Sequence, residues 1–463
     1  WNISRQLWWG HQIPAWYCED CGGVNVPRPE RYREDPASCE ACGSPRLKQD
    51  EDVFDTWFSS ALWPLSTLGW PEETEDLKAF YPGDVLVTGY DILFLWVSRM
   101  EVSGYHFTGE RPFKTVLLHG LVLDEKGQKM SKSKGNVIDP LEMVERYGAD
   151  ALRFALTYLA TGGQDIRLDL RWLEMARNFA NKLYNAARFV LLSREGFLAK
   201  EDRPTLADRF MRSRLSRGVE EITALYEALD LAQAAREVYE LVWSEFCDWY
   251  LEASKPALRA GNAHTLRTLE ETLAALLKLL HPLMPFLTSE LYQALTGKEE
   301  LALEAWPEPG ARDEEAEEAF EALRQAVTAV RALKAEAGLP PAQEVRVHLQ
   351  GEVAPVRENL EVFRFLSRAD LLLEVPEKAL VKALPKVTAR MPLEGLLDVE
   401  EWRRRQEKRL RELLELAERS QKKLASPGFR EKAPKEVVEA EEARLKENLE
   451  QAARLREALS QIG

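Results

Sequence analysis

The stretch Thr115–Ser133, TVLLHGLVLDEKGQKMSKS, decides the fold of the chain. Its apolar first part, Thr115–Leu123, predicts a buried strand of a parallel sheet. A polar turn with a glycine, Asp124–Gln128, then leads into Lys129–Ser133, KMSKS. Open α/β sheets bind ligands at the carboxyl ends of their strands, so we expect the two lysines of this loop beside a ligand. A lysine carries a compact charge on a flexible stem, which suits a polyphosphate; the alternative is an ordinary lysine-rich surface turn.

Length and composition set the broad class. The 463 residues allow two to four domains. A hydrophobic content of 45% and a charged content of 30% indicate a soluble globular protein, which we expect to be cytoplasmic. Because no run of 18 apolar residues occurs, we expect no membrane partner. The net charge of -15 argues by itself against a nucleic-acid partner, but the 62 lysines and arginines can still form local basic clusters.

Four of the five cysteines form two pairs, Cys18-x2-Cys21 and Cys39-x2-Cys42, with 17 residues between the pairs. In an intracellular protein this spacing predicts a structural zinc site, in which four thiolates on two short knuckles surround the ion. Two disulfides or a metal-free remnant are the alternatives. The fifth cysteine, Cys247, lies in a helical pattern and is predicted to be a core residue.

A candidate substrate pocket begins at Asp55-Thr-Trp57, where a carboxylate precedes a large aromatic ring. Such a pair suits a substrate with an apolar side chain next to a charged amine. By pattern alone, Trp57 is equally well an ordinary core residue.

The segment Val85–Trp96 predicts a strand, a turn at Gly89 and then a helix. Gly89 lets the backbone approach a ligand, and the helix start offers free N–H groups. Asp91 either caps this helix or receives a substrate ammonium group. Ile92 and Trp96 lie four residues apart, so they are predicted to share the helix face that closes a small apolar pocket.

Together these segments resemble the class I aminoacyl-tRNA synthetases, whose signature loop KMSKS closes over ATP. Within that family they are similar to the branch that activates valine, isoleucine or leucine, and GYDILFLW at Gly89–Trp96 matches the valine-activating members. The isoleucine-activating members carry Gln and His directly after the aspartate. The further segments that carry the resemblance are Ser4–Gly10, Ile13-Pro14, Asp55–Ser60, Gly163–Arg167 and Arg177–Ala186.

The resemblance implies roles for the matching residues. A valine pocket would consist of Trp57, Asp91, Ile92 and Trp96, with Asp91 on the α-amino group. ATP, with its Mg²⁺, would contact Gly89, His119, Gly120, Val122, Lys129, Met130, Ser131, Lys132 and Ser133. Lys129 and Lys132 would be the catalytic residues, because they meet the phosphates. The attacking carboxylate is already ionised, so catalysis needs positioning and electrostatic stabilisation rather than a general base.

The sequence departs from the family pattern in one respect. Class I members also carry a His-x-Gly-His signature, and none of the six histidines here lies in such a motif. The inserted editing domain of the branch is missing as well, and the chain opens at Trp1 without an initiator methionine. We therefore expect the C-terminal half of a longer enzyme, unable to activate valine alone.

The fold class predicted from these patterns is multidomain, α/β followed by all-α. The C-terminal part of a Rossmann-type class I catalytic domain would occupy residues 1–165, with zinc knuckles at 16–48. Leucines spaced three and four apart predict a helical bundle at 166–310, which in the family binds the anticodon. A small α/β junction at 311–396 and an antiparallel coiled-coil hairpin at 397–463 would follow.

RNA contacts are expected in the bundle and in the hairpin. Unpaired anticodon bases are recognised by stacking on aromatic rings and by arginine and lysine, so the bundle candidates are Arg171, Lys182, Arg188 and Phe189. Phe189 is about as well explained by core packing. In the hairpin, phosphate contacts are expected from Arg403, Arg404, Lys422, Lys423 and Arg430, the alternative being a solvated stalk or a dimerisation zipper.

The leading hypothesis is part of an ATP-dependent ligase that joins valine to tRNA(Val) through valyl-adenylate, as a monomer with a structural Zn²⁺. The isoleucine-activating relative is the neighbouring enzyme hypothesis. A non-catalytic tRNA-binding module and a zinc-bearing scaffold with a dimeric stalk are the alternatives from other classes.

Overall fold

A computed structural model describes residues 1–395, 399–426, 428–429 and 435–462, without the side chains of Lys132, Glu436, Gln461 and Ile462. These residues form two compact units. The sheet unit contains Trp1–Arg146, Ala155–Leu173 and Ala228–Ala232. The helical unit contains Tyr147–Phe154, Glu174–Glu227 and the described residues from Gln233 onward.

The strands are mostly short. In chain order they are β1 (Ser4–Arg5), β2 (Trp16–Cys18), β3 (Val24–Asn25), β4 (Leu47–Gln49), β5 (Val53–Phe54), β6 (Gly83–Gly89), β7 (Phe113–His119), β8 (Val122–Leu123), β9 (Ile166–Arg167), β10 (Val345–Gly351), β11 (Ala369–Leu371), β12 (Leu380–Ala383) and β13 (Val387–Met391).

Helices dominate the second half of the chain. The α-helices are α1 (Thr56–Ser60), α2 (Trp63–Ser66), α3 (Glu75–Phe80), α4 (Ser98–Thr108), α5 (Pro140–Tyr147), α6 (Ala149–Leu159), α7 (Leu170–Arg194), α8 (Leu206–Glu227), α9 (Leu231–Glu240), α10 (Leu251–Arg259), α11 (Ala263–Leu280), α12 (Pro285–Thr296), α13 (Glu314–Ala337), α14 (Ala354–Glu358), α15 (Leu360–Ser367), α16 (Val399–Ala425) and α17 (Lys435–Ile462). Between α9 and α10, Leu241–Tyr250 forms wider π-helical turns. No helix in the described ranges is both long and apolar enough to cross a membrane.

The sheet unit is built around the parallel pair β6 and β7, in register from Gly83 with Phe113 to Gly89 with His119. The chain between them turns through a 3₁₀ segment at Tyr90–Ile92 and a π segment at Leu93–Val97 before α4. Leu86, Val97, Met100 and Phe113 form the small core that holds this crossover on the strands.

The predicted single strand Thr115–Leu123 is wrong in two respects. It breaks after His119 and resumes as β8, because a backbone carbonyl lies against Gly120: a β-carbon there would sit 1.9 Å from the oxygen of Gln164. It is also less buried than expected, and most side chains of β7 are half-buried or exposed. In the part of the chain that the structure describes, β7 pairs with β6 alone, so little covers it.

Three further small sheets complete the sheet unit. β8 lies parallel to β9, with Val122 opposite Ile166. β2 is the central strand of an antiparallel sheet in the order β3-β2-β4, which carries the cysteine loops. β1 pairs with β5, and the buried Asp55 lies next to both strands. The Asp55 carboxylate accepts a hydrogen bond of 2.7 Å from the Trp1 indole, and the Arg5 guanidinium group lies 3.2 Å from it.

The helical unit has a core in which long helices pack aromatic side chains. The rings of Phe210 on α8 and Phe320 on α13 stack 4.1 Å apart, and Phe154 lies 5.0 Å from Phe179. The predicted core residue Cys247 is buried there, and burial raises the pKa of its thiol to about 12.

A small four-stranded sheet follows in the order β11-β10-β13-β12. Alternate residues of β10, namely Val345, Val347 and Leu349, are buried, as the alternating sequence predicts. β13 has the same alternation but was not among the predicted strands.

α16 and α17 pack along each other. Leu413, Ala417, Leu424 and Ala452 are buried in the contact. A 27-residue helix is ~40 Å long, and the nine residues between the helices span less than that, so the two helices are antiparallel.

Asp208 on α8 is the most completely enclosed carboxylate of the helical unit, with no exposed surface. It accepts hydrogen bonds of 2.8 Å from the hydroxyls of Tyr250 and Thr265 and one of 2.9 Å from the Thr205 N–H. Burial, and then the Asp208 charge, raise the pKa of Tyr250 well above its ordinary value, so its hydroxyl stays a donor. Asp208 thereby joins α8 to the π-helical turns at Leu241–Tyr250 and to α11.

We predict that Asp208→Ala lowers the free energy of unfolding by about 3 kcal/mol, because three buried donors lose their acceptor. Tyr250→Phe removes one of these bonds and should cost only about 1 kcal/mol. Urea denaturation followed by circular dichroism measures both. Equal losses in the two variants would contradict the assignment of Asp208 as the shared acceptor.

Candidate functional site

The carboxyl ends of β6 and β7 bring the predicted nucleotide residues together. Gly89 lies in register with His119, whose Nδ1 is 2.9 Å from the carbonyl oxygen of Gly120. Only a glycine fits at position 120, since Gln164 occupies the space of a side chain. Gly89, His119, Gly120 and Val122 therefore lie along one edge, as expected for residues that face a common ligand.

Asp165, which sequence reasoning did not single out, anchors this edge. Its Oδ1 accepts a hydrogen bond of 2.8 Å from the Leu121 N–H, and its Oδ2 accepts one of 3.4 Å from the Tyr90 hydroxyl. The Asp165 bond raises the pKa of Tyr90, so the phenol remains protonated. One carboxylate thus ties the turn after β6 to the loop after β7. Its signal in the sequence was only an acidic residue in a glycine-rich turn.

A cavity of about 610 Å³ opens beside this edge. Its lining is mainly apolar and includes Val87, Leu117, His119, Gly120, Val122 and Ile166. A cavity of this size with few polar groups is suited to a flat heterocycle or an apolar side chain.

Asp91 is exposed at the same edge. A β-carbon on Gly89 would lie 2.5 Å from its Oδ1, so this glycine leaves room for the carboxylate. Among the described residues Asp91 has no hydrogen-bond or ion-pair partner, and the helical turn that begins at Tyr90 has no side-chain cap. The Asp91 side chain therefore does not cap this turn.

The aromatic residues of the predicted pocket belong to two adjoining segments. The indole N–H of Trp96 donates a hydrogen bond of 3.0 Å to the carbonyl of Ser60, the last residue of α1, which carries Trp57. Trp57, Ile92 and Trp96 are all half-buried. Ile92 lies in a 3₁₀ turn and Trp96 in a π turn, so their spacing differs from that of an α-helix.

The loop Lys129–Ser133 is held by two side chains that sequence reasoning did not select. Asn136 accepts a hydrogen bond of 2.9 Å from the Ser131 N–H, and its amide donates to Asp124 Oδ2 at 2.9 Å and to the Lys129 carbonyl at 3.3 Å. Asp124 also accepts bonds from the turn that precedes Lys129. Asn136, followed by these backbone N–H groups, lowers the pKa of Asp124 and keeps it ionised.

Of the two lysines predicted to meet phosphates, the structure describes the side chain of Lys129 alone. Lys129 is exposed and has no carboxylate within ion-pair distance in the described part of the chain. Met130 and Ser131 are half-buried; the Met130 sulfur accepts a bond of 3.5 Å from the Ile138 N–H, and the hydroxyls of Ser131 and Ser133 are 3.2 Å apart. The backbone of Lys132 begins a 3₁₀ turn, but its side chain lies outside the described atoms.

The four paired cysteines converge. Sulfur-to-sulfur distances are 3.6 Å for Cys18 to Cys42 and for Cys21 to Cys39, and all four sulfurs lie within 4.8 Å of one another. A disulfide needs ~2.05 Å, so the interpretation as two disulfides is wrong for this geometry. Thiolates at ~2.3 Å from a tetrahedral ion lie ~3.8 Å apart, which the cluster fits.

The knuckles create an electrostatic difference among these thiols. The backbone N–H of Cys21 lowers the pKa of Cys18, and the N–H of Cys42 lowers that of Cys39 to about 6. The Ser44 N–H also lowers the pKa of Cys42, but hydrogen bonds with Cys21 and Cys18 outweigh it and raise this pKa to about 12. The thiols are thus close enough to form hydrogen bonds with one another, and a cation would bind them as deprotonated thiolates.

Two of the predicted RNA-binding residues share a face of α7, seven residues apart. The ammonium group of Lys182 lies 3.7 Å from the ring centre of Trp243 and 2.5 Å from Asp248 Oδ1. The ring of Phe189 is half-buried and lies 5.4 Å from the ammonium group of Lys255. Lys182 thus adjoins an aromatic ring and a carboxylate, and Phe189 adjoins a positive charge.

The other predicted RNA contacts are dispersed. Arg171 pairs with Asp169 at 2.6 Å, whereas Arg188 is exposed. In the helical pair, Arg404 is exposed and Arg403 half-buried, while Lys422 lies 2.6 Å from Glu418 and Lys423 lies 2.9 Å from Glu441. Arg430 lies outside the described residues.

Three family models match the chain. The model of class I tRNA synthetases (I, L, M and V) matches residues 1–169, and that of the anticodon-binding domain of tRNA ligase matches 208–349. The model of the valyl tRNA synthetase tRNA binding arm matches 398–463. The valine–tRNA ligase of Thermus thermophilus is 93% identical over all 463 residues. The chain belongs to the valyl-tRNA synthetase family.

More distant relatives carry the same name. The valine–tRNA ligases of Deinococcus radiodurans and Thermotoga maritima are 48% and 47% identical, and each aligns with the whole chain. The chain spans about half the length, 54%, of these valyl-tRNA synthetases.

A solved structure supports the fold. The LeuRS of Agrobacterium radiobacter K84, in a ternary complex with tRNA and LeuAMS, is similar with a TM-score of 0.55 and 23% identity, over 68% of this chain and 42% of that one. Together with the family models, this places a class I synthetase fold with catalytic and anticodon-binding parts in the chain.

We predict that Asn136→Ala loosens the loop at Lys129–Ser133. The loss of about 1–3 kcal/mol from the broken hydrogen bonds should speed tryptic cleavage of the native chain after Lys129 about tenfold. Asn185→Ala is the matched control, since this asparagine bonds only to the helix backbone at Asn181. A cleavage rate unchanged from that of the control would show that Asn136 does not hold the loop.

Proposed function

We propose that this chain supplies the valine pocket, the KMSKS loop and the tRNA-binding parts of an enzyme that joins L-valine to tRNA(Val). The observation that supports this most directly is the arrangement of one edge, where Asp91 and Gly89 adjoin His119 and Gly120. A carboxylate without a partner, a glycine-lined edge and an apolar cavity together suit an amino acid and a nucleotide.

The chemistry requires two transfers. An oxygen of the valine carboxylate attacks the α-phosphorus of ATP, the bond to the β-phosphate oxygen breaks, and pyrophosphate leaves. A ribose hydroxyl of the tRNA terminus then attacks the carbonyl carbon of valyl-adenylate and releases AMP. Mg²⁺ bound to ATP neutralises phosphate charge. Asp91 would hold the valine ammonium group, while Lys129 and Lys132 would stabilise the departing pyrophosphate.

The apolar part of the pocket is assigned to Trp57, Ile92 and Trp96. The hydrogen bond from Trp96 to Ser60 fixes one wall against α1, and an isoleucine-activating pocket is disfavoured by Ile92 in the position after the aspartate. Because a pocket held in this way cannot easily expand, it would favour the smaller branched side chain.

tRNA(Val) is the proposed RNA partner. The residues proposed to contact it are Arg171, Lys182, Arg188 and Phe189 in the bundle and the basic residues of the paired helices α16 and α17. Since these helices bury their apolar seam against each other, the pair does not need a second chain, which supports a monomer over a dimeric stalk. The four-part domain division remains part of this proposal.

A structural Zn²⁺ is proposed at Cys18, Cys21, Cys39 and Cys42. The convergence of the four sulfurs supports it, as do the tight turns at Gly22 and Gly43, both with φ near +75°, which let each knuckle curl around its sulfurs. The ion would close the loops of the β3-β2-β4 sheet, a region with little apolar core of its own.

The enzyme proposal is tested by valine-dependent pyrophosphate exchange. The chain is placed in the full-length Thermus thermophilus valine–tRNA ligase in exchange for the 463 residues it matches. We expect exchange with valine to exceed exchange with isoleucine or leucine, and Lys129→Ala to reduce kcat about 100-fold through lost transition-state stabilisation. Lys126→Ala, in the preceding turn, should leave exchange unaltered.

Exchange led by isoleucine would replace the substrate but keep the class of enzyme. Absence of exchange with every amino acid would overturn the enzyme proposal and leave a module that only binds RNA.

The zinc proposal predicts one zinc ion per chain by elemental analysis. The Cys18→Ala variant should contain no zinc. It should also unfold at a lower temperature in the region of residues 16–48, because a structural ion contributes folding energy directly. Cys247→Ala removes a buried thiol outside the cluster and should retain the metal. Zinc contents equal in the two variants would refute the assignment.

A further inference from the structure

Five side chains on the helical unit form a surface of three arginines and two rings, the arginine–aromatic strip: Arg259, Phe365, Arg368, Arg331 and Trp249. The guanidinium carbons of Arg259 and Arg368 lie 5.0 Å and 5.5 Å from the centre of the Phe365 ring. That of Arg331 lies 5.6 Å from the Trp249 ring. Four elements thus contribute to one surface: the π-helical turns at Leu241–Tyr250, α10, α13 and α15 with its C-terminal Arg368.

The charges of the strip are not compensated. Arg259, Arg331 and Arg368 are exposed, and in the described ranges none has a carboxylate within 4.0 Å. The neighbouring Arg364 differs, because it pairs with Asp370. In a chain with a net charge of -15, three adjacent arginines that repel one another are held without an acidic partner.

The backbone at Arg368 is arranged to present its side chain. Arg368 ends α15 with a φ of 52°, in the left-handed region that favours glycine, yet the residue is an arginine. The buried Lys334 fixes this turn: its ammonium group donates bonds of 2.8 Å to the Ser367 carbonyl, 3.1 Å to Pro341 and 3.3 Å to Arg368. Burial, and then Arg368 and Arg331, lower the pKa of Lys334.

A concave space lies between the charged groups. A cavity of about 420 Å³ is lined by Arg331, Lys334, Phe365 and Arg368, and Arg331 is oriented there by hydrogen bonds of 2.9 Å and 3.3 Å to the Leu366 carbonyl. The space accommodates a phosphate group, or an unpaired base against the Phe365 ring.

The strip continues from the RNA contacts proposed above. Lys255 and Arg259 are one turn apart on α10, and the Lys255 ammonium group lies 5.4 Å from the ring of Phe189. Lys255 therefore lies between the strip and Phe189, and its own ammonium group is paired with Glu252 at 2.5 Å.

We propose that the arginine–aromatic strip binds the sugar-phosphate backbone of the tRNA arm that carries the anticodon, with its arginines on successive phosphates. This rests on the proposed tRNA binding and extends it to a surface outside α7. Exposed guanidinium groups held in fixed directions suit phosphate oxygens. An acidic protein segment is a less suitable partner, because binding it would not require aromatic rings between the arginines.

The test measures the affinity of the chain for a tRNA(Val) transcript and for its isolated anticodon stem-loop by fluorescence anisotropy, over a range of salt concentrations. Arg259→Ala/Arg331→Ala/Arg368→Ala should weaken binding of both RNAs at least tenfold at ~0.1 M salt and reduce the slope of log K against log salt by about one per lost contact. The corresponding triple lysine variant should retain the slope, because it retains the charges.

Arg364→Ala/Asp370→Ala is the matched control, since it removes a neighbouring ion pair without changing net charge, and it should alter affinity less than twofold. An unchanged salt slope in the triple alanine variant, with its melting temperature retained, would overturn the strip as an RNA surface while tRNA binding itself stands. Failure of the unaltered chain to bind either RNA would overturn the strip and the proposed tRNA binding together.

Discussion

The in-register parallel pairing of β6 with β7 is the constraint on which the candidate site depends. Because both strands end at the same level, Gly89 and His119 lie side by side. The predicted contacts Asp91, Ile92, Gly120 and Val122 follow within three residues of one strand end or the other. The pairing alone does not fix the loops beyond the strands. Asp165 does so by accepting bonds from both, and Gly120 permits it by leaving space for the backbone at Gln164.

Motifs with a local pattern could be recognised from the sequence, but the residues that hold those motifs in place could not. The cysteine spacing, the Lys129–Ser133 loop and the alternation at β10 are visible in a short window, and the structure contains the cluster, the loop and the strand. Asp165 and Asn136 act on backbone groups brought close by the fold, and a single acidic or amide residue in a turn carries no signal of such a partner. The break at Gly120 was missed for the same reason, since the obstacle is a residue 44 positions away.

The net charge of -15 does not indicate where positive side chains cluster. Many acidic side chains form ion pairs with lysines and arginines, for example between Arg209 and Asp313 or Arg212 and Glu271. The arginines of the arginine–aromatic strip have no ion-pair partner among the described residues, and contacts with rings and with a backbone carbonyl hold them in fixed directions. Acidic side chains on the rest of the surface would repel a polyanion. They would thereby restrict its binding to the few positions where arginines cluster.

The paired helices α16 and α17 contain a buried polar contact inside their apolar seam, where Ser420 donates a hydrogen bond of 2.7 Å to Glu441 and Lys423 neutralises that carboxylate. A shift of one helix along the other would leave the Glu441 carboxylate without partners among apolar groups. This contact therefore fixes the alignment of the two helices. Insertion of one residue rotates everything beyond it by about 100°, whereas seven residues added to both helices restore the match. The length of the helical pair α16–α17 can therefore change during evolution only in steps of seven residues, about 10 Å each.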